Sequence, residues 1–362
     1  MGKLLYGLPV EDAILGRDMG DGRVRCDVCP RYCVLKPGMV GACGTRVNLD
    51  GQLKTLIYGQ VSSAAADPIE KKPVFHYMPG SYVFSVGSLG CNMHCAHCQN
   101  WMISFADRVQ DASRDAVHVP PWKLVELAKR FGCQGVAWTY NEPTIWLEYT
   151  IDSAKLAKEA GLYTVYVTAG YITPEALDAI APHLDVYRVD IKGWTEEFYK
   201  RLARVPEPQW VLDAAVRARV KWGLHVECVT NVIPTYNDDE YQLREIARWI
   251  YKELGPDTPW HVTGFWPHHE LAHLPPTPVA TLERGVEIGR EEGLRYVYIG
   301  NVPGHPWENT YCPACGQLLI ERRGFGLGRV SLGEGNRCPG CGLAIPISGT
   351  VSSSTGRRIL VR

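Results

Sequence analysis

Residues 90–100 read GCNMHCAHCQN and place Cys91, Cys95 and Cys98 in a C-x3-C-x2-C run, with His94 and His97 on either side of the middle stretch. Clustered thiolates attract soft metals. A structural zinc asks for four protein ligands, and an ordinary ferredoxin cluster asks for four cysteines. Three thiolates suit three irons of a 4Fe-4S cluster and leave the fourth iron open to a substrate or cofactor. The other readings are a zinc site completed by His94 or His97, and a cluster completed by a distant cysteine.

Two further groups lie outside this loop. YCPACG and RCPGCG contribute Cys312, Cys315, Cys338 and Cys341, two C-x2-C knuckles joined by the glycine-rich RRGFGLGRVSLGEG. Such pairs supply a tetrahedral S4 site for zinc, or for iron in a rubredoxin-like site. Near the other end, Cys26, Cys29, Cys33 and Cys43 follow a C-x2-C-x3-C-x9-C spacing that closes either a zinc site or a second iron-sulfur cluster. Arg23, Arg25 and Arg31 stand nearby, either compensating thiolate charge or simply solvated. Of thirteen cysteines only Cys133 and Cys228 fall outside the three groups, and these read as small buried hydrophobes. This usage fits metal binding in a reducing compartment better than a disulfide framework.

The elements that position these loops are legible between residues 82 and 301. Runs rich in β-branched and aromatic residues occur at 82–88, 135–140, 162–168, 186–192, 224–233, 260–265 and 296–301, with amphipathic stretches between most of them. Pro143 sits at a first helical position, Thr173 precedes Pro174 as an N-cap, and DDEYQLREIARWIYKELG begins acidic and stops at Gly255. Strand then helix, repeated, implies an α/β fold with parallel strands, a barrel or part-barrel of the β/α type. In such barrels chemistry gathers after the carboxyl ends of the strands. The cysteine loop, YNEP, TAGY, DIKG, NVIPTYND and WPHH all fall there. The expected organisation is a cysteine-rich segment (1–60), a barrel (61–303) and a zinc-ribbon or rubredoxin-like module with a tail (304–362). The tail itself reads as loose chain or an edge strand.

A net charge of -1 over 362 residues advertises neither nucleic acid nor an anionic membrane as a partner. The opening residues lack a secretory apolar core, and no run of 18 apolar residues occurs. A cytoplasmic protein is expected.

The cysteine loop after the first strand resembles the signature of the radical S-adenosylmethionine (SAM) superfamily. In order, DPIEKKPVFHYMPG, GCNMHCAHCQNWMIS, YNEPT, DIKG, IPTYND, WHVTGFWP, YIGNVPG and the flanking cysteine pairs resemble the radical SAM enzyme of the AmmeMemoRadiSam system. That family is similar to the activating enzymes of pyruvate formate-lyase and other glycyl-radical enzymes. The resemblance implies a partial (β/α)6 TIM-like barrel, a 4Fe-4S cluster on Cys91, Cys95 and Cys98 whose open iron chelates SAM, reductive cleavage of SAM, and hydrogen abstraction by the 5'-deoxyadenosyl radical.

It further implies that His97, in a place usually held by Tyr or Phe, lies against adenine. Asn141, Glu142 and Pro143 stand where the superfamily binds the SAM ammonium; alternatively Glu142 is a first-turn helix residue. Asp190 and Lys192 resemble a D-x-K that contacts SAM, or form an internal salt bridge, and being two apart on a strand they share a face. Thr168 and Gly170 resemble part of a T-N-G segment at the same site, with Ala169 in place of the amide. His225, His268 and His269 face substrate or are ordinary residues. Implied partners are a low-potential electron donor and Memo-like and AMMECR-type proteins. The competing functions are a glycyl-radical activase acting on a partner protein, and an iron-sulfur and zinc protein for binding or electron transfer without SAM chemistry.

Overall fold

A computed structural model of the chain describes residues 4–5, 7–105, 109 and 113–352. The tail beyond residue 352 lies outside the described residues. One eight-stranded sheet follows the chain in space: β1 (Ser63–Pro68), β2 (Tyr82–Gly87), β3 (Gly135–Trp138), β4 (Tyr163–Thr168), β5 (Val186–Asp190), β6 (His225–Val232), β7 (Trp260–Gly264) and β8 (Val297–Gly300). Strands β2 to β8 are the seven expected ones and pair in parallel. β1 runs antiparallel to β2 and was not expected, because SAAADP carries no β-branched or aromatic residue.

Six helical crossovers join the parallel strands: α1 (Pro121–Arg130), α2 (Leu147–Glu159), α3 (Pro174–Ile180), α4 (Gln209–Val216), α5 (Glu240–Trp249) and α6 (Val279–Glu291). Their starts follow from the sequence. Thr173 accepts a hydrogen bond from the Ala176 N–H ahead of α3, and Asp239 does the same for the Gln242 N–H ahead of α5. Covered by helices, β3 and β7 are buried along their whole length, and Trp138 and Trp260 fill the core. No ladder joins β8 to β1 among the described residues, so the sheet is an open part-barrel of the expected α/β class.

The cysteine-rich first segment folds as small antiparallel sheets. Asp50 and Gly51, both at positive φ, turn Arg46–Leu49 back onto Gln52–Thr55, the D-G signal of a two-residue hairpin. This segment shares the barrel's core: Cys26, Cys29 and Cys43 belong to the same apolar cluster as Ile145 and Leu147. Arg46, 2% exposed, pairs with Glu148 of α2 through both terminal nitrogens at 2.9 Å.

After β8, strands β9 (Thr310–Tyr311), β10 (Leu318–Arg323) and β11 (Gly326–Val330) form the C-terminal ribbon. Its small core joins Leu319, Ile320 and Ile345 to Phe75 and Tyr298. No helix among the described residues is long and apolar enough to cross a membrane.

Candidate active site

The cysteine loop leaves the carboxyl end of β2 and is held by backbone contacts that few sequences permit. Gly90 has φ of 79°, and a Cβ there would come within 2.4 Å of the Cys43 carbonyl oxygen and 2.5 Å of Thr45. Only glycine fits both the conformation and the space. Asn141, just past β3, grips the loop from both sides: its Oδ1 accepts the Ser88 N–H at 3.0 Å and its Nδ2 donates to the Gly90 carbonyl at 2.9 Å. Farther along, Asn92 donates to the Tyr171 carbonyl at 2.7 Å and the Ala96 N–H to that of Leu202 at 2.8 Å.

So held, Cys91, Cys95 and Cys98 line one cavity inside the part-barrel, about 510 Å³ in volume. Their Sγ atoms do not gather, alone or with His94 or His97, to the spacing of a single ion; among the described residues only the C-terminal cysteines do. Burial, then the charge of Glu142, pushes the Cys91 thiol well above its ordinary range, and burial pushes Cys95 up to about 11. A bound metal is what would make such thiols thiolates.

Glu142, 1% exposed, accepts four hydrogen bonds from its own chain. Oε1 takes the Thr144 N–H at 3.0 Å and the Thr144 and Thr168 hydroxyls at 2.6 Å, while Oε2 takes the Ala169 N–H at 2.7 Å. It is thus also the cap of the short helix Pro143–Trp146. Burial raises its pKa against the pull of these donors. Thr168 in turn accepts the Gly170 N–H at 2.9 Å. Thr168 and Ala169 line the cavity; Pro143 and Gly170 do not, Gly170 being packed against Val189 and Val211.

Asp190 and Lys192 share the inward face of β5 and its extension, their charged groups 2.9 Å apart. Arg188, two residues earlier, bonds the other oxygen of Asp190. The sequence reading missed Arg188, although R-x-D-x-K is the alternation that puts all three on one face. Burial opposes charge on Asp190, but Arg188 and Lys192 outweigh it and hold the carboxyl below its usual range. His97, next to Cys98, lies at the same wall with its Nδ1 lacking a hydrogen-bond partner among the described residues; burial, then Lys192, pushes its pKa down to about 3.

The cavity is closed away from the cysteines by the loop between β1 and β2. There the Phe75 and His76 N–H groups donate to buried Glu227 at 2.9 and 2.7 Å, and His261 meets its other oxygen at 2.7 Å. Arg322 of the ribbon donates to the Phe75 carbonyl at 3.1 Å and lies 4.0 Å over its ring, and the neighbouring Gly324 and Phe325 complete the wall. Lys72, 3% exposed, also lines the cavity; its Nζ bonds Asp67 at 2.7 Å and sits 4.6 Å from the Tyr140 ring. Neither Lys72 nor His261 stood out in the sequence, since a strand-end position is legible but a partner from a distant loop is not. Of the other histidines, His225 bonds Glu227 at 2.9 Å, His269 stacks on Trp101, and neither they nor His268 line the cavity.

At the C-terminal site, Cys312, Cys315, Cys338 and Cys341 bring four Sγ atoms within 4.8 Å of one another, a group that could hold a metal ion. Cys26, Cys29, Cys33 and Cys43 line a second pocket together with Arg31, Arg46 and Asn92.

The radical SAM superfamily profile matches residues 85–250. An uncharacterized protein of Methanocaldococcus jannaschii is 43% identical over 340 residues, covering 93% of this chain and 99% of that protein. The pyruvate formate-lyase-activating enzyme of Clostridium pasteurianum is 26% identical over 194 residues, 50% of this chain and 76% of the enzyme. Among solved structures, a domain of pyruvate-formate lyase-activating enzyme from Bacteroides vulgatus overlays with a TM-score of 0.41 at 18% identity, covering 46% of this chain and 99% of that domain.

Proposed function

The chain belongs to the radical SAM superfamily, and from that premise we propose that it cleaves SAM reductively and uses the product to abstract hydrogen from a substrate. Cys91, Cys95 and Cys98 would hold the 4Fe-4S cluster. Bound there, cluster and SAM supply the one-electron scission that yields the 5'-deoxyadenosyl radical; the protein's part is to hold, orient and shield. The observation that carries this reading is that three thiols without single-ion spacing share a cavity with Glu142, Asp190 and Lys192.

The residues divide the work by charge. Glu142 presents a carboxylate fit for the SAM ammonium, pre-oriented by Thr144, Thr168 and the Ala169 N–H. Lys192 suits the SAM carboxylate, and Asp190 holds its ammonium in place. His97 offers a neutral flat ring to the adenine. Asn141 acts by fixing the cysteine loop. The floor from Phe75 to Phe325 keeps bulk water from the far end.

In this reading the segments 1–60, 61–303 and 304–362 serve as cysteine-rich cover, catalytic barrel and zinc ribbon. The protein works in the cytoplasm with a low-potential electron donor, and Memo-like and AMMECR-type proteins are partners implied by the resemblance of motifs.

Anaerobic protein with reconstituted iron and sulfide, given reductant and SAM, should release 5'-deoxyadenosine, and Cys95→Ala should abolish it. An assembled cluster that leaves SAM unbound would sink the proposal. A second reading, activation of a glycyl-radical partner, is favoured by the similarity to activating enzymes over half the chain. It requires a radical signal on the partner after incubation.

A further inference from the structure

The chain carries two four-cysteine groups, and they are built differently. At the C-terminal site two Sγ pairs stand 3.5 and 3.6 Å apart and all four atoms lie within 4.8 Å. A single tetrahedral ion, with sulfur bonds of about 2.3 Å, draws its thiolates to within about 4 Å of one another in this way. Cys26, Cys29, Cys33 and Cys43 also line one pocket, yet their sulfurs do not reach that spacing; among the described residues the C-terminal group alone does. Four thiols around a shared space, held apart, suit a polynuclear iron-sulfur cluster rather than one zinc ion.

The walls of the pocket agree. Val28, Leu35 and Ile145 are apolar and buried, and Arg46 brings a guanidinium that is 2% exposed. Glu148 takes its terminal nitrogens, while its Nε has no hydrogen-bond partner among the described residues. Burying a cation beside four thiols with one N–H unmet is costly unless something negative belongs there. A thiolate-ligated cluster is negative.

Its location supplies the function. Asn92 lines the four-cysteine pocket, whereas Cys91 and Met93 on either side of it line the barrel cavity. Asn92 therefore stands in the wall between the two chambers. Arg31, itself in the pocket wall, donates to the Asn92 carbonyl at 2.5 Å, and the Cys43 carbonyl lies against Gly90 so closely that a Cβ there would be 2.4 Å away.

We propose that Cys26, Cys29, Cys33 and Cys43 hold an iron-sulfur cluster that passes single electrons to the site of Cys91, Cys95 and Cys98. The destination, but not the cluster, rests on the SAM-cleaving reading above. One electron enters from a low-potential one-electron reductant such as a reduced flavoprotein. It leaves through the partition, and the carbon-sulfur bond of SAM takes it up as methionine departs. No proton moves in the relay itself.

The cluster is tested apart from the activity by Cys91→Ala/Cys95→Ala/Cys98→Ala in the full chain, reconstituted without oxygen. About four irons with matching sulfide should remain per chain, beside about one zinc. The reduced protein should show a paramagnetic signal that SAM leaves unchanged. A second zinc, or no metal at all, at the N-terminal cysteines overturns the proposal.

The relay is tested by Cys29→Ala/Cys33→Ala with the catalytic loop intact. Iron should fall by about half and SAM affinity should stay within about twofold. SAM cleavage driven by a reduced flavoprotein should drop at least about tenfold. Undiminished cleavage after loss of that iron refutes the relay. Should the unaltered protein bind no SAM, the SAM-cleaving reading fails while the iron count of the triple variant still decides the cluster.

Discussion

The Thr168 hydroxyl lies 2.6 Å from Oε1 of Glu142, and the next N–H, that of Ala169, lies 2.7 Å from Oε2. Residues at the end of β4 therefore aim a carboxylate that leaves β3. Glu142→Gln keeps the shape and removes the charge, so SAM should bind at least about tenfold more weakly, or about 1.4 kcal/mol, with the iron content unchanged. Thr168→Val removes one donor from a buried acceptor and should lower stability by about 1–2 kcal/mol in urea unfolding, with a smaller loss of SAM affinity. Equilibrium binding to the reconstituted protein checks both.

Asp190 stands between two cations, Arg188 and Lys192. Asp190→Asn leaves them facing each other and should cost about 3 kcal/mol of stability at neutral pH. Because the native carboxyl is held below its ordinary value of 3.8, its contribution is present above that pH and is lost as the pH falls further. Urea midpoints between about pH 3 and pH 7 should fall more gently on the acid side in the variant than in the parent protein.

Glu70 behaves in the opposite sense. It is 2% exposed, Oε1 accepts the Gly80 N–H at 2.9 Å, and Oε2 has no partner among the described residues. Burial raises its pKa from 4.5 to about 7, with Arg322 opposing the shift. Between those values the unfolded chain ionises and the native one does not, so stability falls as the pH rises from 4.5 through about 7. The whole effect is about 3 kcal/mol. Thermal unfolding of Glu70→Gln should lose this slope, and a parent protein without the slope would show Glu70 charged when folded.

The parts of this architecture that depend on local chain chemistry could be read beforehand. Strand periodicity, the prolines and Thr173 marked the β/α units, and the spacing of Cys91, Cys95 and Cys98 marked the loop. What escaped depends on contacts between distant segments. The loop carrying Phe75 and His76 runs under the barrel to Glu227, a buried carboxylate that also takes His225 and His261 as partners. Asn141 has the right position for a cofactor contact but its amide serves the Ser88 and Gly90 backbone, a use that no spacing reveals.

Metal removal should act on the ribbon first. The four C-terminal sulfurs tie β9 to the loop that ends near Ile345, and two of the four cysteines, Cys312 and Cys338, are themselves part of the small core there. A strong chelator should release about one metal ion per chain and expose the amides of residues 310–347 to hydrogen exchange, leaving those of β3 to β7 protected.

Gly324 and Phe325 form a wall of the chamber beside the Phe75 loop and follow that loop by most of the chain. During synthesis on the ribosome the barrel strands and the cysteine loop emerge well before Gly324 and Phe325, so a cluster on Cys91, Cys95 and Cys98 would be loaded while one side is still open to a cluster-donating protein. Maturation thus has a natural order, loading first and sealing second. A chain shortened before Arg322 would take up iron normally and then lose it to oxygen.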